Sequence, residues 1–132
     1  MAIENTYRGL VDWEERLINR LLTAEFPGRR EITEQLRNSL ARTIDREGSL
    51  AFQLRTEILA PVENRIPVEA EAKDIDGQRI HALLHVAKGR TVELEIYKED
   101  GSPVQQMPPS QDWEVVVLPT PSSTGWLRRR PS

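Results

Sequence analysis

Glutamates and histidines on expected neighbouring strands are the residues of this chain best suited to chemistry. Glu71, His81 and Glu95 fall in one row across the outer face of an expected antiparallel sheet. An imidazole between two carboxylates can hold a divalent metal ion or act as a general base, and the carboxylates favour its charged form. The same row also reads as an exposed cross-strand charge ladder of small energetic weight. An open sheet face lacks the concave, water-excluding shape that catalysis and tight metal binding use. His81 and His85 share this face, but at strand rise their Cα atoms stand about 13 Å apart, too far for one metal ion.

These rows follow from three loops. Ile75-Asp76-Gly77, Ala87-Lys88-Gly89 and Glu99-Asp100-Gly101 each end an alternating apolar/polar run with glycine last. A three-residue hairpin loop wants glycine at its third position, in the left-handed region. That length pairs Ala72 with Ile80, Leu84 with Val92 and Ile96 with Val104. A two-residue Asp76-Gly77 turn would instead set Ala72 against His81. The core rows are then Ala72/Ile80/Ile96, Ala70/Ala82/Leu94 and Val68/Leu84/Val92. The opposite face carries Lys73/Arg79/Tyr97, Glu71/His81/Glu95, Glu69/Leu83/Glu93 and Pro67/His85/Thr91. Leu83 stands out of pattern on that polar face, and with Tyr97 it offers an apolar contact for a partner.

Two helices must come first. Asp12-Trp13-Glu14-Glu15 reads as an N-cap with a glutamate three residues on, and Leu17, Ile18, Leu21 and Leu22 then share one face. Phe26-Pro27-Gly28 ends that helix, because a residue before proline avoids the α region. The second helix is expected from about Arg30 to Arg46, with Ile32, Leu36, Leu40 and Ile44 as its stripe and Gly48 as a left-handed C-terminal cap. Beyond Gly48 the period becomes two: Leu50/Phe52/Leu54, Ile66 to Ala72, Ile80 to Val86, Val92 to Ile96, and last Trp113/Val115/Val117. The short Ala70/Ala82 row lets a helix approach closely. The expected architecture is α+β: two N-terminal helices packed on one face of a four- or five-stranded antiparallel sheet, a meander. Pro103, near the expected return of the fourth strand, blunts that edge.

The 132 residues make one domain, 1–118, followed by a Pro/Ser/Arg-rich tail, 119–132, with Trp126 and Arg128, Arg129 and Arg130. A domain of this size buries roughly two-thirds of its unfolded surface and needs no staples. The net charge is −3, but residues 1–118 carry 15 basic against 21 acidic groups. Such a body repels phosphate backbones, so no nucleic-acid binding is expected through the fold. No apolar run suits a membrane span, and no basic-then-apolar start marks a signal peptide. The absence of cysteine excludes disulfides and thiolate chemistry and fits a reducing, cytoplasmic setting. No phosphate loop, nucleophile elbow, zinc-protease or kinase motif is present.

Several strings resemble a small bacterial family known only as a domain of unknown function. They are Tyr7-Arg8-Gly9-Leu10, Glu14-Glu15 before Leu21-Leu22, Phe26-Pro27-Gly28, Gln35-Leu36, Asp45-Arg46-Glu47-Gly48-Ser49-Leu50 and Asp76-Gly77, with Leu83-Leu84-His85-Val86 and Glu93-Leu94-Glu95-Ile96-Tyr97-Lys98. The resemblance runs from about Tyr7 to Leu118. It implies a bacterial, cytosolic, small α+β protein and brings no activity, cofactor or site.

The leading functional expectation is a non-enzymatic protein-binding module of immunity or adaptor type. Its partner would dock on an outer face made of Glu69, Glu71, His81, Leu83, Glu93, Glu95 and Tyr97. The alternative is a small metal-dependent protein or enzyme using His81 with Glu71 and Glu95. No resident cofactor or catalytic set is assigned from the sequence.

Overall fold

The computed structural model describes residues 1–117. Trp126, the arginine cluster Arg128–Arg130 and the rest of the expected tail lie outside the described residues. The chain forms helices α1 (Asp12–Leu21) and α2 (Arg29–Arg37), then strands β1 (Leu40–Thr43), β2 (Leu50–Gln53), β3 (Val68–Lys73), β4 (Arg79–Ala87) and β5 (Arg90–Lys98). A 3-10 turn (Ser110–Asp112) leads into β6 (Glu114–Val117). All pairings are antiparallel, in one six-stranded sheet of order β1-β2-β5-β4-β3-β6. The α+β class with two leading helices is as expected, with six strands rather than four or five.

Helix α1 begins one residue earlier than the capping pattern suggests. Val11 is the N-cap, and the Glu14 side chain reaches back to accept its N–H at 3.0 Å. Valine offers no acceptor in return, so only half of a capping box forms. Glu14 is 1 % exposed, and Arg8 neutralises it with a two-pronged ion pair, Nη2 to Oε2 at 2.9 Å. Leu17, Ile18, Leu21 and Leu22 are buried as their spacing requires. Trp13 is half-buried against the core. Helix α1 lies over β3 and α2 over β5.

Helix α2 is shorter than expected. It stops at Arg37, and Leu40 and Ile44 belong to a β1–β2 hairpin instead. A spacing of four residues is close to a helical turn and is also a multiple of two, so the stripe Ile32/Leu36/Leu40/Ile44 suits either period. The β-branched Thr43 and Ile44 favour the strand. The N-terminal segment completes the choice by pairing Arg8 with Ala41, through two backbone bonds of 2.9 and 2.8 Å. Gly48 therefore caps no helix. It sits at φ 98° in the β1–β2 turn, where the Asp45 carboxylate accepts the Glu47 and Ser49 N–H groups.

The Gly77 loop has the expected register, with Ala72 opposite Ile80. The other two loops differ. Lys88 and Gly89, both at positive φ, form a two-residue turn that pairs Ala87 with Arg90. A bulge follows: Val86 faces Thr91 while His85 faces Glu93, which leaves Val92 as the inserted residue. Leu84 then meets Leu94 rather than Val92, and every β4–β5 pair beyond is displaced by two residues from the expected one. An even displacement keeps core residues on the core side, so the alternation could not reveal it. Thr91 turns to the helix side, and Val92 is 36 % exposed.

Gln35 of α2 holds the bulged end. Its Nε2 donates to the Gly89 and Ile58 carbonyls at 2.8 and 2.7 Å, and its Oε1 accepts from the Thr91 N–H and hydroxyl at 3.0 and 2.8 Å. The segment after β2 is thereby laid beside the Gly89 turn, where the Ala60 N–H bonds the Gly89 carbonyl.

The chain after Gly101 does not pair back along β5 as expected. The free edge of β5 is taken by β2, and the Ser49 hydroxyl bonds both the N–H and the carbonyl of Ile96. The chain from Ser102 instead runs to a buried ionic knot. Lys98 Nζ, with no exposed side-chain surface, donates to Asp74 at 2.9 Å, to Asp76 at 2.6 Å and to the Pro103 carbonyl at 3.3 Å. Asp74 also accepts the N–H groups of Ile75, Gln105 and Gln106. Burial alone would push the Asp74 carboxyl up, but the Gln105 N–H, the Lys98 ammonium and the other two N–H groups together hold it well below the usual carboxylate range. Burial also opposes the Lys98 charge, and the Asp76 and Asp74 carboxylates outweigh it and raise its pKa. Among the described residues, no helix is long and apolar enough to cross a membrane.

Two predictions follow from these buried polar sets. Gln35→Met keeps the shape of the side chain but removes partners from Gly89 and Thr91. Urea denaturation should show a loss of about 2–4 kcal/mol. The Asp74 carboxyl titrates lower in the folded than in the unfolded protein, so its stabilisation is present above about pH 4 and is lost as pH falls through the folded value. Lys98 contributes in the opposite sense, with stability lost only as pH rises through its raised pKa. Asp74→Asn should melt below the parent protein at pH 7, and the gap should close in acid. A gap that stays constant with pH would contradict this assignment.

Candidate functional site

The face of the sheet turned away from the helices is built by odd-numbered residues of β3 and β4, odd-numbered residues of β5 from Glu93 onward, and even-numbered residues of β6. Three of its observed rows are Glu114/Glu71/His81/Tyr97, Val116/Glu69/Leu83/Glu95 and His85/Glu93/Ala51/Arg42. The seven residues expected to form the docking surface are all on this face, namely Glu69, Glu71, His81, Leu83, Glu93, Glu95 and Tyr97, whereas Thr91, also expected here, turns to the helices. The grouping changes because the two-residue turn and the bulge each shift the β4–β5 register by one residue. Glu71 remains beside His81, with its Oε2 3.7 Å from His81 Nδ1. Tyr97 takes the place expected for Glu95, and its ring stacks on the imidazole at a centroid distance of 4.8 Å and an angle of 16°. Glu99, not foreseen as a neighbour, lies 3.6 Å from His81 Nε2.

The centre of this face is closed to solvent. Glu69 is 2 % exposed, His81 4 % and Leu83 6 %. The expectation of an open ladder is thus corrected at the centre and holds at the margins, where Glu71, Glu95 and Glu99 keep 31 %, 40 % and 37 % of their side-chain surface. The segment Leu59–Val62 lies against the Gly89 turn and Gly28, and Met107–Ser110 packs beside Trp13 and Leu17 of α1.

At one margin Glu71, Lys73, Arg79, Asp112 and Glu114 line an open depression of about 400 Å³. Glu71 and Glu114 are direct cross-strand partners. Like charges so placed repel. Arg79 approaches Glu71 only to 3.9 Å, and Glu114 makes no ion pair among the described residues. At the other margin His85 Nε2 donates to Glu95 Oε1 at 2.8 Å, since an ionised carboxylate can only accept. Glu93 lies directly opposite His85. One donor atom from each of His85, Glu93 and Glu95 falls within 4.8 Å of the other two.

The sequence reading missed the pairing of His85 with Glu93, having put Thr91 there. Its one local signal was Lys88-Gly89, which suits a two-residue turn with glycine second. It also missed the Lys98 knot. Lys98 continues the inward series Leu94, Ile96, and a lysine at such a position calls for a buried carboxylate.

A family model covers residues 7–108, from the segment that pairs with β1 to the chain anchored on Asp74, and includes both helices and five of the six strands. No curated protein and no solved structure matches the chain. The polar residues of the matched region that are most deeply bonded, Arg8 with Glu14, Gln35, Ser49 and Lys98 with Asp74, all serve the fold. By that match the chain belongs to the family described as Domain of unknown function (DUF6984).

Proposed function

We propose that the protein is a non-enzymatic binding module, of adaptor or immunity type, that docks a basic segment of another protein on the acidic outer face of its sheet. The observation that carries this reading is the Glu71/Glu114 pair at the open depression. Two carboxylates side by side across β3 and β6 repel, Arg79 comes no nearer to Glu71 than 3.9 Å, and Glu114 makes no ion pair among the described residues. A lysine or arginine of a partner entering beside Glu71, Glu114 and Asp112 would relieve that repulsion. The rows described on this face hold Glu69, Glu71, Glu93, Glu95 and Glu114 against Arg42 on β1, with Lys73 and Arg79 beside them on β3 and β4. Such a surface steers a basic partner and repels phosphate backbones. Half-buried Tyr97 adds apolar contact. A chain without cysteine suits a reducing cytosol.

The test uses a substitution that should help the fold and harm the function. Glu114→Lys converts a like-charge pair into an opposite-charge pair and should raise stability by about 0.2–1 kcal/mol. It should also weaken the partner. The partner is isolated by affinity capture from the cells that make this protein, then purified, and its affinity is measured at low and high salt. Binding that falls with salt and is lost in Glu71→Lys/Glu114→Lys supports the reading. Equal binding by parent and variants, or indifference to salt, overturns it.

A further inference from the structure

We propose that His85, Glu93 and Glu95 form a binding site for a single divalent transition-metal ion, of the zinc, nickel or cobalt class. Three side chains with the right donor atoms converge at one end of the outer face. His85 and Glu93 are opposite each other across β4 and β5, and Glu95 is two residues along on the same face of β5. Their donor atoms lie within 4.8 Å of one another, and the His85–Glu95 pair is already at 2.8 Å. Donors at bond lengths near ~2.1 Å in neighbouring octahedral positions stand about 3 Å apart, so small side-chain rotations close the set. The strands hold the backbone of all three ligands, and the partial exposure of Glu95 leaves room for water to complete the coordination.

The fold does not account for this grouping. A single carboxylate satisfies the imidazole, and Glu95 supplies it. Glu93 makes no ion pair or hydrogen bond among the described residues. The next charged side chain in its row, Arg42, is two strands away, where it stacks over Tyr7 at 5.6 Å and donates to the Glu4 carbonyl. The bulge at Val92 is what aims Glu93 at His85. Without it Val92 would stand there. Bulges recur where a side chain must be re-aimed next to a working site.

One neutral imidazole with two carboxylates selects for borderline metals over magnesium and calcium, which prefer all-oxygen sets. The metal would take the place of the proton between His85 Nε2 and Glu95 Oε1, with the imidazole proton on Nδ1. His81 is excluded from the site: it is stacked on Tyr97, in a different row.

The test is titration of tag-free full-length protein with Zn²⁺ or Ni²⁺ by calorimetry, beside imidazole nitrogen NMR. The chain has two histidines, so His81 is an internal control. The expected result is saturable one-to-one binding, a shift of His85 Nε2 with His81 unmoved, and a loss of affinity of at least about ten-fold in both His85→Ala and Glu93→Gln. Glu93→Gln keeps side-chain size and spares the His85–Glu95 pair, so it reports on metal even if His85→Ala unfolds. Absence of saturable binding, binding undiminished by Glu93→Gln, a shift at His81 instead, or equal affinity for Mg²⁺ would each overturn the proposal. None of these residues lines the Glu71–Glu114 depression, so this test and the docking test fail separately.

Discussion

A buried glutamine on the second helix governs how the two longest strands meet. A two-residue turn followed by a bulge leaves backbone groups near Gly89 and Thr91 without partners in the ladder. The Gln35 amide supplies both a donor and an acceptor there, from a helix that must pack on that end of the sheet in any case. Bulged backbone in a dry interior would otherwise carry the full cost of unmet hydrogen bonds. Helix, turn, bulge and register are therefore one cooperative unit. The composition of the outer face follows from it, because the register decides which glutamate meets which histidine.

The same economy runs through the rest of the molecule. Its buried charges and amides join segments that lack regular pairing: Arg8 with Glu14 ties the N-terminal segment to α1, Ser49 locks β2 to β5, and Asp74 with Lys98 gathers the chain after β5. Each is saturated by the fold and has no capacity left for a ligand. At the two margins of the outer face, Glu114 and Glu93 make no ion pair among the described residues, and both proposals rest on that contrast.

The two margins differ in chemistry. The Glu71–Glu114 side is a wide, shallow, acidic depression that suits a flexible cationic side chain. The His85 side is narrow, with an imidazole nitrogen and carboxylate oxygens converging from two hydrogen-bonded strands, which suits a small cation. Between them Glu69, Leu83 and His81, the last stacked on Tyr97, form a closed centre that separates the two.

Much of the fold was legible in the residues. Apolar periodicity located α1, the start of α2 and the strands after Gly48, and parity alone assigned Ala72 to Ile80 and placed the outer-face residues together. Parity is blind to even shifts, however. It could not distinguish Leu84 against Val92 from Leu84 against Leu94, and that shift dissolves the expected Glu71/His81/Glu95 row. Nor could it tell a helix from a strand where apolar residues recur every four positions, as at Leu40 and Ile44. The tertiary structure decided both, through partners distant in the chain: Arg8 for β1, and Gln35 with Ile58 for the bulge. Alternation is a local property that sets the face of each side chain. Which side chains on that face become neighbours depends on long-range hydrogen bonds that only the folded chain brings together.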